Sequence, residues 1–445
     1  MAKKMTVRLL PLFGFLFLSA YLRSAAVNVV YTDYIRLVNS YLEDVWSIQP
    51  YFRPDVLTRI PANYVQRIVN VELFHYSTMF DMMLGAFFLA LSTLPLGIYC
   101  VKKRLPTSLC AGLILFFFSL NKWEMLTNGS GWVHFTAFAL FWYHYLVYDR
   151  VMAGEGSRRD ERRLLWLPSV TILLFCGPYC GVYAVTLILA DLFAVFVMKK
   201  NRRQAVKRML GALLPLLLFL CSRAAAVEER AGATTASIGQ VVGEHPLLLP
   251  RFFVRSFASM VLGSEAAAEY GIPSPVMTML GLLVLGFYGF AFYLNGKKKI
   301  YRESVFPLLL LTAGFLNHVL VTASRWIFLD ADYGMSSRYA LQYQIGIVGI
   351  LLTLFLAARG EGRFGKRLAV WFALLIFVGN AVTTGREIRM AKYRREQFLR
   401  IRESALHFEA LSDAELKKAL QYHDPVRIRK ALSLLKERGL NVYNE

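Results

Sequence analysis

The chain alternates long apolar runs with short polar breaks. A helix that crosses a bilayer needs roughly 17–25 predominantly apolar residues. Runs at or near that length are Leu9–Val30, Ser77–Val101, Leu105–Leu120, Trp132–Tyr148, Leu164–Met198, Met209–Ala226, Val276–Leu294, Val305–Thr322, Leu341–Ala358 and Leu368–Val382. The fifth run carries Cys176-Gly177-Pro178-Tyr179 near its middle. Pro and Gly together interrupt a helix, so this run predicts two short spans joined by a tight turn. The pattern therefore predicts an all-α integral membrane bundle of about eleven transmembrane helices over residues 1–383. A small hydrophilic helical tail follows over 384–445.

The charges between the runs support this reading. With the N-terminus inside, the inner segments are Met1–Arg8, Lys102–Arg104, Asp149–Arg163, Lys199–Arg208, Gly296–Glu303 and Arg359–Arg367, which hold 25 Lys and Arg against 6 acids. The outer loops 31–75, 121–130, 223–275 and 323–340 hold 11 basic residues against 13 acids. Cytoplasmic loops of membrane proteins carry this excess of Lys and Arg. A single span over Leu164–Met198 would put the basic run Lys199–Arg208 outside, so the charge pattern also favours the break. The expected location is a multi-pass cell membrane protein with a cytoplasmic N-terminus and an extracytoplasmic tail. The tail's formal charge of +5 runs against the rule for an outer segment. Lys3, Lys4 and Arg8 before an apolar run and Ser24-Ala25-Ala26 also resemble a signal peptide. The reading adopted is a retained first span.

Composition narrows the class. The chain has 445 residues, of which 56% are hydrophobic and 18% charged. A soluble domain carries about 45–50% apolar and about 25% charged residues, and disorder requires the opposite balance. The net charge of +21 is largely membrane topology, and no basic face with interleaved aromatics accompanies it. Nucleic acid is therefore not an expected partner. The five cysteines lie in or beside apolar runs, and the Cys176/Cys180 spacing fits neither a thioredoxin-like nor a common zinc pattern. The histidines show no metal spacing, and Asp330-Ala331-Asp332 is a lone acidic pair. No cofactor is expected, and a divalent metal has no support.

The informative polar residues gather in the outer loops. The first offers Asp33, Tyr34, Arg36, Glu43, Asp44, Asp55, Arg59, Gln66, Arg67 and Glu72. Over Tyr31–Val45 a surface helix would place Asp33, Arg36 and Ser40 on one polar stripe. Asn121-Lys122-Trp123-Glu124 sets a cation, an aromatic ring and a carboxylate side by side. Pro250–Arg255 is apolar and basic and suits the interface. Ser336-Ser337-Arg338-Tyr339 precedes a late span. A carboxylate can take a proton from an acceptor hydroxyl. An arginine can hold a phosphate through two hydrogen bonds. Aromatic faces can lie against a sugar ring. Solvated surface carboxylates and an interfacial Arg338-Tyr339 anchor are the plainer alternatives for the same residues.

This pattern resembles the GT-C superfamily of membrane glycosyltransferases. More specifically it resembles a large group of bacterial multi-spanning proteins related to that superfamily. The resemblance rests on Trp123-Glu124 at an outer helix end, Ser337-Arg338-Tyr339 before a late span, and Asp424-Pro425 opening a short helix in the tail. Relatives often carry an acidic-His-Arg-Ile stretch before the second span, where this chain has Val65-Gln66-Arg67-Ile68. The aromatic continuation after Trp-Glu is also altered, to Met125–Trp132.

The resemblance implies transfer of a sugar from a polyprenyl-phosphate donor to an extracytoplasmic glycan or lipid-linked acceptor, with membrane lipid as surroundings. On it, Asp33 is the expected base, with Glu124 orienting or substituting for it. Arg67 and Arg338 would bind the donor phosphate, with Tyr339 beside them, and Tyr34 and Trp123 would flank the sugar. The rival readings are a transporter or flippase of lipid-linked glycans and a non-catalytic envelope-assembly protein.

Overall fold

The computed structural model describes residues 2–49, 61–175, 177, 179–224, 232–360 and 363–444. The expectations attached to Asp55, Arg59, Cys176 and Pro178 lie outside these residues. Helices make up the fold, and no strand occurs among the described residues. In chain order they are α1 (Ala2–Ala25), α2 (Asp33–Tyr41), α3 (Pro61–Phe74), α4 (Thr78–Lys102), α5 (Thr107–Phe117), α6 (Trp123–Thr127) and α7 (Trp132–Met152). Next come α8 (Arg158–Val170), α9 (Cys180–Phe196), α10 (Arg202–Ala224), α11 (Ile238–Glu244), α12 (Leu248–Ala258), α13 (Ser264–Glu269) and α14 (Ser274–Lys297). The rest are α15 (Ile300–Glu303), α16 (Phe306–Arg325), α17 (Ala340–Ala357), α18 (Arg363–Leu406), α19 (Asp413–Leu420) and α20 (Pro425–Glu437).

Among the described residues, seven helical segments are long and apolar enough to cross a membrane: Thr78–Lys102, Thr107–Thr127, Arg202–Ala224, Ser274–Lys297, Phe306–Phe328, Ser337–Ala357 and Gly365–Leu406. Leu9–Ala25 and Cys180–Phe196 are apolar but shorter. The run Leu164–Met198 is divided between two helices. α8 ends in a π-helical turn over Thr171–Phe175, and α9 starts at Cys180.

The most enclosed segment is Ser337–Ala357, whose apolar stretch is 94% buried against 28% for α10 and 33% for α14. The rest of the bundle therefore packs around α17. Its tightest neighbour is α16. A Cβ on Gly314 would stand 2.3 Å from the Gly346 Cα, so hydrogen at both positions is what lets the two backbones touch.

The two ends of the bundle differ chemically. At one, the described parts of the basic segments 102–104, 149–163, 296–303 and 359–367 meet. Lys103 donates to the Glu303 carbonyl at 2.6 Å, Arg359 pairs with the Glu303 carboxylate at 3.0 Å, and Lys102 pairs with Glu155. The buried Asp149 carboxylate accepts from Ser304 Oγ and from the Val305 and Phe306 amides, at 2.8, 2.8 and 3.1 Å. It thereby satisfies amides that the start of α16 would otherwise leave unpaired. Asp191, a carboxylate inside an apolar helix, pairs with Arg208 and accepts from Tyr148.

At the other end, the described parts of loops 31–75, 121–130, 223–275 and 323–340 come together. Asn121 donates to Ser259 O at 2.7 Å, Arg255 pairs with Asp332 at 2.7 Å, and the Thr234 amide donates to Ile327 O. α12 does more than lie flat: Phe252 and Phe257 are fully buried, and the helix packs on α14 and α16.

The tail belongs to this second end. α18 runs through residue 384 without a break, so the last apolar segment and the start of the tail are one 44-residue helix. Ser412 and Glu415 form a capping box at α19. Asp424 caps α20 with Pro425 in its first turn, and Gly439 turns the chain away at φ +59. The Thr32 amide then donates to Leu420 O at 2.9 Å, and Asn39 donates to Arg427 O at 2.8 Å. Asn441 is the main fastener. Its Oδ1 accepts from the Val30 amide, its Nδ2 donates to Tyr76 O and Asn28 Oδ1, and its amide donates to His75 O.

Candidate functional site

Two polar clusters occupy the loop end, one at the rim and one beneath it. The rim cluster starts from a tight corner. A 3-10 turn over Leu120–Lys122 leads directly into α6. Lys122 is fully buried, and its Nζ donates to the carbonyls of Phe117 and Ser119 at 2.8 and 2.9 Å. This ties off carbonyls at the end of α5 and fixes the direction of the residues that follow.

Glu124 therefore faces the 3-10 turn Ser337–Tyr339. Arg338 Nε donates to Glu124 Oε1 at 2.5 Å, while the Ser337 and Ser336 hydroxyls donate to Oε2 at 3.2 and 3.4 Å. The Arg338 side chain is 55% exposed and that of Glu124 27%, so the pair is reachable from water.

Asp33, the exposed first residue of α2, adds its charge. Its carboxylate and that of Glu124 both act on the Arg338 guanidinium. The buried phenol of Tyr31 registers the same three groups. Burial raises it well above its usual range, Glu124 and Asp33 raise it further, and Arg338 opposes them. Asp33, Glu124 and Arg338 thus share one electrostatic neighbourhood, although they lie far apart in sequence.

Trp123 sits beside them, half-buried. Its Nε1 donates to Glu265 at 3.2 Å, and the Arg394 guanidinium lies 3.1 Å over its ring. Arg394 is held in turn by two bonds to Glu387, at 2.9 and 2.6 Å. One face of the indole is therefore occupied by a cation from α18 and is closed to a sugar. Tyr339 is buried, and its hydroxyl accepts from Arg325 at 3.0 Å. That places it under the rim as a support for Arg338.

The second cluster surrounds Asp81 in the first turn of α4. Tyr34 donates to Asp81 at 2.7 Å, Arg67 pairs with it at 2.9 Å, Asn70 donates at 2.9 Å, and Gln66 donates as well. The Arg67 guanidinium lies 5.4 Å from the ring centres of both Tyr34 and Tyr76. All of these side chains are buried. Burial lowers the affinity of Arg67 for its proton, but Tyr76, Asp81 and Tyr34 together raise it well above normal.

This arrangement corrects two expectations. Arg67 is committed to a buried carboxylate and does not present itself to a donor phosphate. Tyr34 points into the same cluster, with Gly129 packed so closely that a Cβ there would stand within 2.8 Å of the Thr78 carbonyl, and offers no face to a sugar. What the two do is pin α2 and α3, and with them Asp33, onto α4.

Sequence reasoning missed Ser336 and Ser337 as ligands of Glu124, and Glu265 and Arg394 as neighbours of Trp123. The acidic pair Asp330/Asp332 is used internally, with Asp330 accepting from the Asp332 amide and Asp332 holding Arg255. Among the described residues no group of three or more His, Cys, Asp or Glu is placed to hold a metal ion. Comparison with protein-family models, curated proteins and solved structures finds no match for this chain.

Chemically, the rim offers a guanidinium neutralised by one carboxylate, two hydroxyls and a second carboxylate nearby. A guanidinium fork of this kind can hold a carboxylate or another oxyanion through paired hydrogen bonds.

Proposed function

We propose that the protein is an integral membrane glycosyltransferase of the GT-C type, with eleven spans, a cytoplasmic N-terminus and an extracytoplasmic loop end. It moves a sugar from a polyprenyl-phosphate donor to an extracytoplasmic glycan or lipid-linked acceptor. The observation that carries this reading is the half-exposed Glu124–Arg338 pair, with Asp33 acting on the same guanidinium, at the end where the long loops meet.

In the reaction, an acceptor hydroxyl gives its proton to Asp33 and its oxygen bonds to the anomeric carbon. The bond from that carbon to the phosphate oxygen breaks, and the lipid phosphate leaves with the electron pair, neutralised by Arg338. Glu124 holds Arg338 in place before the donor arrives and assists the proton transfer once displaced. A base in this position contributes on the order of 10²–10⁴-fold.

The test is purification in detergent with mass spectrometry of co-purifying lipids, followed by transfer assays in vesicles. Wild-type protein should carry a polyprenyl-phosphate lipid and Arg338→Ala should lose it. Asp33→Asn should abolish transfer while leaving the amount of folded protein unchanged. Full transfer by Asp33→Asn, or no enrichment of such lipids on the wild-type protein, would remove the reading.

A further inference from the structure

A cavity of about 310 Å³ lies at the basic end of the bundle, opposite the Glu124–Arg338 rim. α9 contributes Leu189 and Phe193 to its wall, α14 Phe292 and Asn295, and Tyr148 and Tyr301 close its inner end. The walls are mostly apolar, with Thr186 and Thr312 among them. Leu189 is 43% exposed, and Phe193 and Phe292 are half-exposed, so the cavity opens sideways onto the apolar flank of the bundle.

Its polar end differs from its walls. Asn295 is 1% exposed, and its Nδ2 donates to Ala291 O and Thr353 Oγ1. Its Oδ1 accepts no hydrogen bond among the described residues. Beyond Gly296, also in the lining, the chain runs through Lys297, Lys298 and Lys299, all exposed, before returning to the cavity at Tyr301. A second cleft of about 220 Å³ lies on the other flank of α14, lined by Phe290, Leu354 and Leu368, and it ends at the same Lys297 and Lys298. Two largely apolar grooves therefore flank α14: the second is lined by Lys297 and Lys298, and the first reaches Gly296, next to them in the chain.

We propose that this is a binding site for an anionic phospholipid of the leaflet at the basic end. One hydrocarbon chain fills the cavity between α9, α14 and α16, and the headgroup phosphate rests on Lys297–Lys299. The volume fits this occupant: it holds about ten water-sized groups, room for a stretch of a single chain. The lysines supply the complementary charge, as basic residues near a bilayer surface do for anionic lipids. The site is independent of the transferase reading, since it lies at the other end of the bundle and needs no reaction.

The experiment uses full-length protein in phosphatidylcholine nanodiscs containing a minor fraction of phosphatidylglycerol with a diazirine on one acyl chain. After irradiation, labelled peptides are mapped by mass spectrometry. Labels should concentrate in residues 186–193 and 292–296. Filling the cavity with Ala190→Phe, or from the opposite wall with Thr312→Phe, should cut that labelling about tenfold, the equivalent of some two buried methylenes lost. Melting temperature identifies which of the two variants is folded. Replacing Lys297, Lys298 and Lys299 by Gln should lower labelling by the phosphatidylglycerol probe and leave labelling by a phosphatidylcholine probe unchanged. Even labelling of all lipid-facing helices, including Leu210–Leu218, would overturn the proposal. So would a folded, cavity-filled protein with undiminished labelling, or a lysine variant that binds both probes as wild type does.

Discussion

Asp81→Leu leaves Arg67 as a buried cation without a counter-charge. Arg67 and Asp81 are 1% and 0% exposed and stand 2.9 Å apart, and a guanidinium keeps its proton even when its counter-charge is removed. Breaking a buried pair from one side costs about 3–5 kcal/mol, while replacing both partners by apolar groups is often close to neutral. Here the double replacement Arg67→Met with Asp81→Leu still strands the Tyr34 hydroxyl and the Asn70 amide that donate to Asp81. Leaving a buried donor unpaired costs about 1–3 kcal/mol. Each single variant should therefore lose about 3–5 kcal/mol and the double variant less than the sum of the two. The interaction energy from the cycle should exceed about 2 kcal/mol. Unfolding of the four proteins in one detergent, followed by intrinsic fluorescence, measures it. A double variant whose loss equals the sum of the single losses would refute the claim that the pair acts as one unit.

Asn441 has φ +57 and fastens the tail to both ends of the first long loop. Asn441→Ala should cost about 1–3 kcal/mol through unpaired buried groups and further through a backbone that only Gly or Asn adopts readily, and limited proteolysis should then release the tail faster. Asn441→Gly keeps the backbone and isolates the side chain, so an unchanged cleavage rate in both variants would contradict this role. The Tyr34 and Tyr76 phenols are pushed up by burial, Tyr76 to about 12 from an ordinary 10. A raised folded-state value stabilises the protonated fold, so this contribution is complete below pH 10 and is lost as pH rises through about 12. Absorbance at 295 nm should show these two tyrosines ionising together with loss of tertiary structure, whereas a smooth titration of every tyrosine near pH 10 would count against it.

The apolar runs located the helices well, because a bilayer-length segment must satisfy its own backbone and little else competes. Ser412 to Glu415 and Asp424-Pro425 were readable for a related reason: a helix start needs a side-chain acceptor at a fixed offset. Direction was harder to read. Tyr34 and Arg67 carry the groups expected of a sugar or phosphate contact, and composition does not say whether such groups face water or the core. The signal was present in α2, where Tyr34, Leu37, Val38 and Tyr41 form an apolar stripe opposite Asp33, Arg36 and Ser40. Read as a stripe, Tyr34 belongs inside. Arg394 above Trp123 had no such signal, since 271 positions separate them and only the return of α18 past α6 brings them together.

The uninterrupted course of α18 has a mechanical consequence. Forty-four residues at 1.5 Å each make a rod of about 66 Å, roughly twice the hydrocarbon thickness of a bilayer. One half is the apolar segment and the other carries the tail that grips the Asp33 loop, so a tilt of the rod drags that loop along. The same tilt would shift Arg394 against Trp123 and re-space the charges at the rim.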